Sequence, residues 1–348
     1  MALPAPRPGL YPTGGGAMLT GAPKCQSPEP SCPCVSGHSP PAACGKTIGP
    51  VPAKGESRPR VEHRKGLYPA DRKGGGAMRI GVNRWCMPAE WSLEKAVAEA
   101  ARAGFQGIEL NLAEEGPLTP DSSRADVERV AARVRAAGLE LTSLSSGLGW
   151  RHPLTSGDPA VRARAREILA RSLHVARWLG VDPVLCVPGV VEAETRYDTA
   201  WDRALEAVRD AAPLAAEVGV ALCVENVWNR FLLSPLEMAR FIDEAGSPWV
   251  QAYFDVGNVL LFGFPQHWIE ILGTRIRRVH VKDFKTAIGS IRGFANPLQG
   301  DVPWRAVRDS LASIGYDGWI TAEVEGYRHL PELGLRHLAE SLRAVFGE

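Results

Sequence analysis

Short apolar segments alternate with amphipathic segments eight times after residue 77, and this pattern limits the fold more than any other feature of the chain. The apolar segments are short, and each is followed by a stretch rich in Ala, Arg, Glu and Leu. Nearly continuous apolar strands that alternate with amphipathic helices indicate a parallel sheet covered by helices. Eight such units in the 271 residues from 78 to 348 predict a closed (β/α)₈ TIM barrel, an α/β fold.

The boundaries of these segments support the barrel. Glycines such as Gly104 and Gly180 stand directly after predicted helices, where a left-handed C-terminal cap favours glycine. An open doubly wound sheet is the alternative, but the first strand is followed by neither a G-x-G-x-x-G sequence nor a P-loop. The predicted strands are 79–85, 107–112, 139–146, 181–188, 220–226, 250–257, 277–283 and 318–325. The predicted helices include 93–103, 124–137, 160–179, 200–218 and 235–244.

Residues 1–77 differ in composition from the rest of the chain. They hold 14 of the 28 prolines and 13 of the 36 glycines, and they show neither helical nor strand periodicity. Such a segment cannot bury enough apolar surface to offset its ordering entropy, so we predict a disordered Pro/Gly-rich tail at 1–77 and one domain at 78–348. Four of the seven cysteines lie in the tail, but their spacing lacks the paired C-x₂-C pattern of a zinc site.

A short sequence near the beginning of the tail returns just before the first predicted strand. GLYPTGGGAM at residues 9–18 is followed by GLYPADRKGGGAM at residues 66–78. A structured repeat needs a unit that can form a core, and this one has none. We interpret Met78 as the natural start, with residues 1–77 a result of start-site assignment. A flexible basic tail with a role of its own is the competing interpretation.

The charge balance excludes several classes of partner. Forty basic and 39 acidic residues leave a net charge of +1, which divides into +6 for the tail and −5 for residues 78–348. An acidic domain lacks the basic footprint of a nucleic-acid-binding protein, so we predict no nucleic-acid partner. The chain has no run of about 18 apolar residues and no apolar signal core, so we predict no membrane partner. Nothing indicates a disulfide framework, and we expect a cytoplasmic protein.

Acidic and imidazole side chains stand near the C-terminal ends of the last four predicted strands. In barrels of this class, that end of the strands carries the active site. The fifth strand ends in Glu225, the sixth carries Asp255, the seventh carries His280 and the eighth carries Glu323. Because side chains alternate along a strand, one consistent phase can point all four into the barrel.

Three carboxylates and one imidazole at the same mouth predict a metal site. This donor set suits one divalent ion of moderate hardness, such as Mn²⁺, Co²⁺ or Mg²⁺, more than a sulfur-rich zinc site. A cation is also the physical reason that three carboxylates can stay ionised side by side. The alternative is that each one is a satisfied strand-end residue or a helix cap.

Further polar and aromatic residues near the strand ends are candidates for substrate contacts. A Trp and an Arg in the loop after the third strand could cover a sugar and hold a phosphate. Lys282 shares a face with His280 and could neutralise a developing oxyanion. Surface ion pairs, helix caps and ordinary packing are the alternative roles. The predicted substrate-binding residues are Glu109, Trp150, Arg151, Asn229, Arg230, Asn258 and Lys282.

Five short motifs surround the strand ends of the barrel: VENVWNRF, YFDVGN, HVKDF, QGDVPW and GYDGWITAE. In this order and spacing they resemble the sugar phosphate isomerase/epimerase family, the xylose isomerase-like TIM barrels. The resemblance covers essentially all of residues 78–348. It implies that Glu225, Asp255, His280 and Glu323 hold one divalent ion, and that Glu225 and Glu323 are also the catalytic acid/base pair.

The resemblance also implies proton abstraction beside a ketose carbonyl. The ion would bind carbonyl and hydroxyl oxygens and stabilise a cis-enediolate. One glutamate would remove the proton, and the other would return it on the opposite face for an epimerase or at the neighbouring carbon for an isomerase. We therefore predict a metal-dependent sugar phosphate isomerase/epimerase that acts at C3 of a ketose phosphate. Its partner would be a small-molecule sugar or sugar phosphate, and a homo-oligomer is compatible with the sequence.

Two departures from the family pattern bear on the substrate. Free-ketose 3-epimerases of this group resemble EPLNRFE at the fifth strand, whereas this chain has ENVWNRFL and carries Leu232 at the end of that stretch. The family's D-x-x-H reads DVGN here, with Asn258 in the histidine position. The DNA-repair endonuclease branch needs several further histidines, which the second and third strands do not supply. The alternatives are a metal-dependent lyase of the same barrel, such as an inosose dehydratase, and a non-catalytic sugar-binding module.

Overall fold

The computed structural model of the chain describes residues 78–347. The predicted disordered tail with its four cysteines, and the interpretation of Met78 as a start site, concern residues 1–77 and lie outside the described residues. Among the helices of residues 78–347, none combines the length and the apolarity that crossing a membrane requires.

Eight parallel strands close into a barrel in which each strand pairs with its neighbours in the sequence. The strands are β1 (Arg79–Asn83), β2 (Gly107–Leu112), β3 (Glu140–Ser146), β4 (Pro183–Cys186), β5 (Ala221–Glu225), β6 (Val250–Asp255), β7 (Ile276–Val281) and β8 (Trp319–Ala322). β1 and β8 close the ring, with Arg79 opposite Trp319 and Gly81 opposite Thr321. The closed ring confirms the predicted (β/α)₈ barrel and excludes the open sheet.

Helices cover the outside of the barrel between consecutive strands. They are α1 (Leu93–Ala103), α2 (Arg124–Ala136), α3 (Leu148–Arg151), α4 (Pro159–Leu179), α5 (Tyr197–Val218), α6 (Pro235–Glu244), α7 (Pro265–Leu272), α8 (Trp304–Ser313) and α9 (Pro331–Phe346). α1 begins after Ser92, whose hydroxyl accepts a hydrogen bond from the Lys95 amide. α1 and α4 end at Gly104 and Gly180 in the left-handed conformation, with φ of +91° and +76°. Both glycine caps follow the sequence-based expectation.

Most of the apolar core lies between the barrel and its helices, and a smaller cluster fills the barrel interior. The interior cluster consists of Leu185, Val187, Ala221, Cys223 and Tyr253. Fully buried polar side chains share this interior, among them Glu109 and His280. Charged residues are almost never fully buried unless they are paired. The buried Glu109 and His280 therefore make the barrel interior a candidate functional site.

The three cysteines within residues 78–347 are buried and form no disulfide. Burial raises the pKa of Cys86, Cys186 and Cys223 to about 12. Each one therefore remains a thiol at neutral pH, because the thiolate that binds metals or attacks electrophiles does not form in these surroundings.

A long loop connects β7 to α8 at the mouth of the barrel. It starts with a short antiparallel pair, Asp283–Phe284 with Phe294–Ala295. The buried Asp283 carboxylate accepts hydrogen bonds from the Phe284 amide at 2.9 Å, the Val302 amide at 3.0 Å and the Trp304 indole N–H at 2.9 Å. One carboxylate thus ties the beginning of the loop to its end, while residues 285–292 are exposed.

Candidate active site

The four residues predicted as metal ligands come together at the mouth of the barrel. Glu225 and Asp255 are the last residues of β5 and β6, His280 is in β7, and Glu323 directly follows β8. Each is buried, and each offers one ligand atom such that these atoms all lie within 4.8 Å of one another. Four consecutive strands therefore supply a group of donors that is large enough to hold a single ion.

Two asparagines fix the backbone around Asp255. The Asn226 side chain donates to the Asp255 carbonyl at 2.8 Å and accepts from the Asp255 amide at 2.9 Å. The Asn258 amide donates to the Asp255 carboxylate at 2.8 Å, and its side chain donates to the Asn226 carbonyl at 2.9 Å. These bonds tie the ends of β5 and β6 together and aim Asp255 into the site.

The His280 ring stands between carboxylates on both of its edges. Its Nδ1 lies 3.1 Å from Glu225 Oε1 and 3.7 Å from Glu323 Oε2. Its Nε2 lies 2.9 Å from Glu109 Oε1 on the opposite side. The ring is completely buried, so its position is determined by these neighbours rather than by solvent.

Lys282 lies inside the group of carboxylates. Its Nζ donates to Asp255 Oδ2 at 2.5 Å and to Glu323 Oε2 at 2.7 Å. The lysine is buried, and its ammonium partly compensates the acidic charge at the mouth. The sequence placed Lys282 on the same strand face as His280, but it did not indicate these two partners.

The pKa values show that the cluster is short of positive charge. Burial, with the nearby charge of Glu323 adding to it, raises the pKa of Glu225 to about 8. Burial also raises the pKa of Asp255, although Lys282 acts against this. Burial by itself would lower the pKa of His280, but the charges of Glu109 and Glu323 outweigh it and raise that pKa well above its ordinary value.

These residues fit a divalent ion. Glu109, Glu225, Asp255 and Glu323 can carry four negative charges in total, which face one ammonium and one imidazole. A doubly charged cation would balance this cluster and allow Glu225 to ionise. Three carboxylates and one imidazole are a donor set that Mn²⁺, Co²⁺ or Mg²⁺ accepts.

The raised pKa values predict how the stability of the metal-free protein depends on pH. Between about pH 4.5 and 8, folded Glu225 keeps a proton that the unfolded chain releases, so the folded state is stabilised less as the pH rises. The raised pKa of His280 acts in the same direction, since its contribution is complete at low pH and is lost on deprotonation. Urea unfolding of chelator-treated protein should give a lower midpoint at pH 8.5 than at pH 6.

The matched variants for this prediction are Glu225→Gln, which should flatten the pH dependence, and Glu206→Gln on the exposed face of α5, which should preserve it. A midpoint that stays constant or rises between pH 6 and pH 8.5 would contradict the assignment.

A small cavity opens beside the candidate ligands. Trp150, a predicted substrate-binding residue, forms part of its wall and also packs against the interior apolar cluster. Trp85 was not predicted to line the site, although its position in the short turn that follows β1 was the signal that could have identified it. The lining residues are Trp85, Ser146, Trp150, Leu185, Val187, Glu225, Val227 and Glu323.

Other predicted substrate-binding residues lie away from the cavity. Arg151 is exposed and pairs with Glu114. Arg230 is exposed and has a positive φ of 60°. Asn229 is buried, but its amide donates to the Gly189 carbonyl at 2.7 Å and its oxygen accepts from the Phe231 amide, so it stabilises loop backbone.

Asn258 and Glu109 are close to the candidate ligands but do not line the cavity. Asn258 supports Asp255 and Asn226 through the hydrogen bonds given above. Glu109 is completely buried and faces His280. Burial opposes ionisation of Glu109, but the charge of His280 and hydrogen bonds from His280, Ser143 and Tyr253 lower its pKa to about 2. The substrate contacts of Asn258 and Glu109 stay predictions, and the neighbours that the structure shows for them are side chains and backbone of the protein.

Comparison with known proteins identifies the family. The sequence profile of the xylose isomerase-like TIM barrels matches residues 97–345 of the chain. The protein belongs to this family. The match confirms the resemblance inferred from the five motifs, and it covers the strand ends that carry all four candidate ligands of this xylose isomerase-like barrel.

Curated relatives of the chain include proteins named as 3-epimerases. The barrel is 29% identical over 249 residues to the L-ribulose 3-epimerase of Mesorhizobium japonicum, a match that covers 68% of this chain and 78% of the relative. It is 24% identical over 242 residues to the L-ribulose-5-phosphate 3-epimerase UlaE of Salmonella paratyphi A, with 69% and 84% covered.

Solved structures show the same xylose isomerase-like fold. An L-ribulose 3-epimerase superposes with a TM-score of 0.65 at 24% identity, over 77% of this chain and 94% of that one. A D-psicose 3-epimerase determined in the presence of D-fructose also gives a TM-score of 0.65, at 18% identity, over 78% of this chain and 100% of that one. At these identities the likeness supports the fold.

Proposed function

We propose that this protein is a divalent-metal-dependent epimerase that inverts C3 of a ketose by proton transfer. The observation that carries the proposal is that Glu225 and Glu323 line the same cavity beside the candidate metal ligands. They are supplied by β5 and from the end of β8, which β6 and β7 separate in the ring. They therefore approach the cavity from different sides, as inversion at a single carbon requires. The position C3 is taken from the names of the relatives.

The two glutamates would divide the proton transfer between them. A divalent ion held by Glu225, Asp255, His280 and Glu323 would polarise the ketose carbonyl and stabilise the negative charge that develops on it. One glutamate removes the C3 proton from one face to give a cis-enediolate, and the other delivers a proton to the opposite face. Both must lie within hydrogen-bond reach of the same carbon, and their position on the wall of one cavity supports this requirement.

The rest of the cavity wall suits a sugar. Trp85 and Trp150 offer flat apolar surfaces against which the C–H face of a sugar can pack. The hydroxyl of Ser146, at the end of β3, is the polar group that this wall adds. Leu185 and Val187 complete a largely apolar surface, which would exclude water during proton transfer.

The same wall favours an unphosphorylated ketose over the ketose phosphate predicted from the sequence. Among the described residues that line the cavity, none is Lys, Arg or His, and two are carboxylates. A phosphate would bring a charge of about −1.5 to −2 beside these carboxylates. Arg151 pairs with Glu114, and Lys282 donates to Asp255 and Glu323. The phosphate ligands that the sequence suggested thus have other partners or, like Arg230, lie outside the wall.

The proposal is tested by NMR in D₂O with Mn²⁺, Co²⁺ or Mg²⁺ and a panel of free ketoses, their phosphates and inososes. An epimerase should incorporate one solvent deuterium at C3 and produce the C3 epimer. Like charges brought together cost several kcal/mol, so kcat/KM for L-ribulose should exceed that for L-ribulose 5-phosphate by at least about tenfold.

Other outcomes would identify the alternatives. Loss of water from an inosose without epimer formation would identify a lyase such as an inosose dehydratase. Ketose binding without any deuterium incorporation would indicate a sugar-binding module. A preference for the phosphate ester would overturn the argument from the cavity wall but not the epimerase assignment.

A further inference from the structure

Glu109 has a completely buried carboxylate in the barrel interior, and the proton-transfer scheme does not use it. It is in β2, completely buried, and not among the residues that line the cavity. Side chains of three other strands donate hydrogen bonds to it, namely Asn83 of β1, Ser143 of β3 and Tyr253 of β6, and Nε2 of His280 in β7 lies 2.9 Å from it. A carboxylate held by so many strands has a fixed position and no contact with the substrate cavity.

The hydrogen bond to His280 has a consequence for the chemistry of the ring. A carboxylate only accepts hydrogen bonds, and Glu109 already accepts from Asn83, Ser143 and Tyr253, so we assign the hydrogen of the His280 contact to the Nε2 that lies 2.9 Å from Glu109. A histidine that binds a metal ion is neutral, and with the hydrogen on Nε2 the lone pair of His280 is then on Nδ1. Nδ1 is the atom that faces Glu225 at 3.1 Å and Glu323 at 3.7 Å.

The same network also holds the plane of the ring. The Tyr253 ring lies 4.3 Å from the His280 ring, centroid to centroid, at an interplanar angle of 48°. The Tyr253 hydroxyl donates to Glu109, and Ser143 bridges the two, with its Oγ 3.2 Å from the Tyr253 hydroxyl. Glu109 and Tyr253 therefore restrain His280 from its edge and from its face, and each holds the other.

We propose that Glu109 is a positioning residue that holds His280 in the tautomer with hydrogen on Nε2, so that Nδ1 is presented to the divalent ion. Histidines that bind metals commonly donate their second N–H to such a carboxylate, and removal of that partner commonly weakens metal binding about 10–100-fold. The inference rests on the metal site of the proposed function but not on the reaction, because metal binding and tautomer state can both be measured without a sugar.

The test compares wild type with Glu109→Gln and Glu109→Ala. Titration calorimetry with Mn²⁺ should show dissociation constants that increase about 10–100-fold in the alanine variant and less in the glutamine variant, whose amide oxygen can still accept from Nε2. Tyr253→Phe removes one donor to Glu109 and keeps the ring, so it should have a smaller effect than Glu109→Ala. Glu206→Gln on the surface should bind Mn²⁺ like wild type.

A spectroscopic measurement on the wild-type protein tests the proposal even if the Glu109 variants fail to fold. With ¹⁵N-labelled histidine and Mg²⁺, the His280 signals should show a protonated Nε2, and Nδ1 should be the nitrogen that shifts when the ion binds. His280→Asn identifies the signals. A shift of Nε2 instead of Nδ1, or Mn²⁺ binding within about twofold of wild type in a folded Glu109→Ala variant, would overturn the proposal. So would an increase in sugar KM at unchanged metal affinity, because that would make Glu109 a substrate contact.

Discussion

Replacement of Glu225 or Glu323 with glutamine is expected to lower kcat for epimerisation by about 10²–10⁴-fold, the range that a positioned general acid or base contributes. Glutamine keeps the size of the side chain but cannot accept or release the proton. Because both residues are also candidate metal ligands, the measurements need saturating Mn²⁺ and a separate metal titration for each variant. Glu206→Gln is the matched surface control and should retain full activity.

The division of labour between the two glutamates makes this prediction more specific. If each serves one face of the substrate carbon, each single variant should still exchange the C3 proton of one epimer with solvent deuterium, without inversion. Glu225→Gln and Glu323→Gln should retain exchange on opposite epimers. Full turnover in both variants would show that neither is the acid or base. Loss of exchange on the same epimer in both would show that they do not act from opposite faces.

Removal of the divalent ion is expected to abolish activity and to lower the melting temperature of the barrel. Without the ion, buried carboxylates at the mouth are balanced by Lys282 and by a protonated His280 only in part. A ligand present at about 100 times its dissociation constant stabilises the folded state by about 2.7 kcal/mol. For a domain of this size, that corresponds to a shift of roughly 5–10 °C.

Thermal unfolding of chelator-treated protein, with and without added Mn²⁺, measures this effect. Asp255→Asn should lose most of the metal-dependent shift because it removes one charged ligand, whereas Glu206→Gln should show the full shift. Restoration of activity by Mn²⁺ should follow the same concentration dependence as the stabilisation. Full activity after chelation, or a melting temperature that does not respond to any of the three ions, would contradict the metal assignment.

The fold and the four candidate ligands could be predicted from sequence because their signals are local. Alternating apolar segments locate the strands, and the last residues of parallel strands meet at one end of the barrel. The period of two along each strand places Glu225, Asp255, His280 and Glu323 inside together. None of these steps requires knowing which side chains of other strands contact the four candidate ligands.

Contacts between distant parts of the chain could not be predicted in this way. Like the candidate ligands, Glu109 lies in a strand and points into the barrel. It nevertheless contacts Nε2 of His280, on the side of the ring that faces away from Glu225 and Glu323. Arg151 pairs with Glu114, and Asn229 bonds Gly189, because loops from other units of the barrel supply those partners. For Tyr253 a signal did exist, since an inward-facing Tyr in an apolar strand needs a partner for its hydroxyl.

The Asp283 carboxylate has a consequence for protein engineering. It accepts hydrogen bonds from Phe284 at one end of the long loop and from Val302 and Trp304 at the other. These bonds hold the two ends of the loop in place whatever the length of the segment between them. Asp301 adds a second tie across the base by accepting from the Thr286 amide and hydroxyl. Residues 287–292, which are exposed and lie between the two short strands of the loop, are therefore a natural place to graft longer or differently charged inserts at the mouth of the barrel. Such grafts leave the register of β7 and the start of α8 unchanged, since the bonds that set both lie outside the exchanged residues.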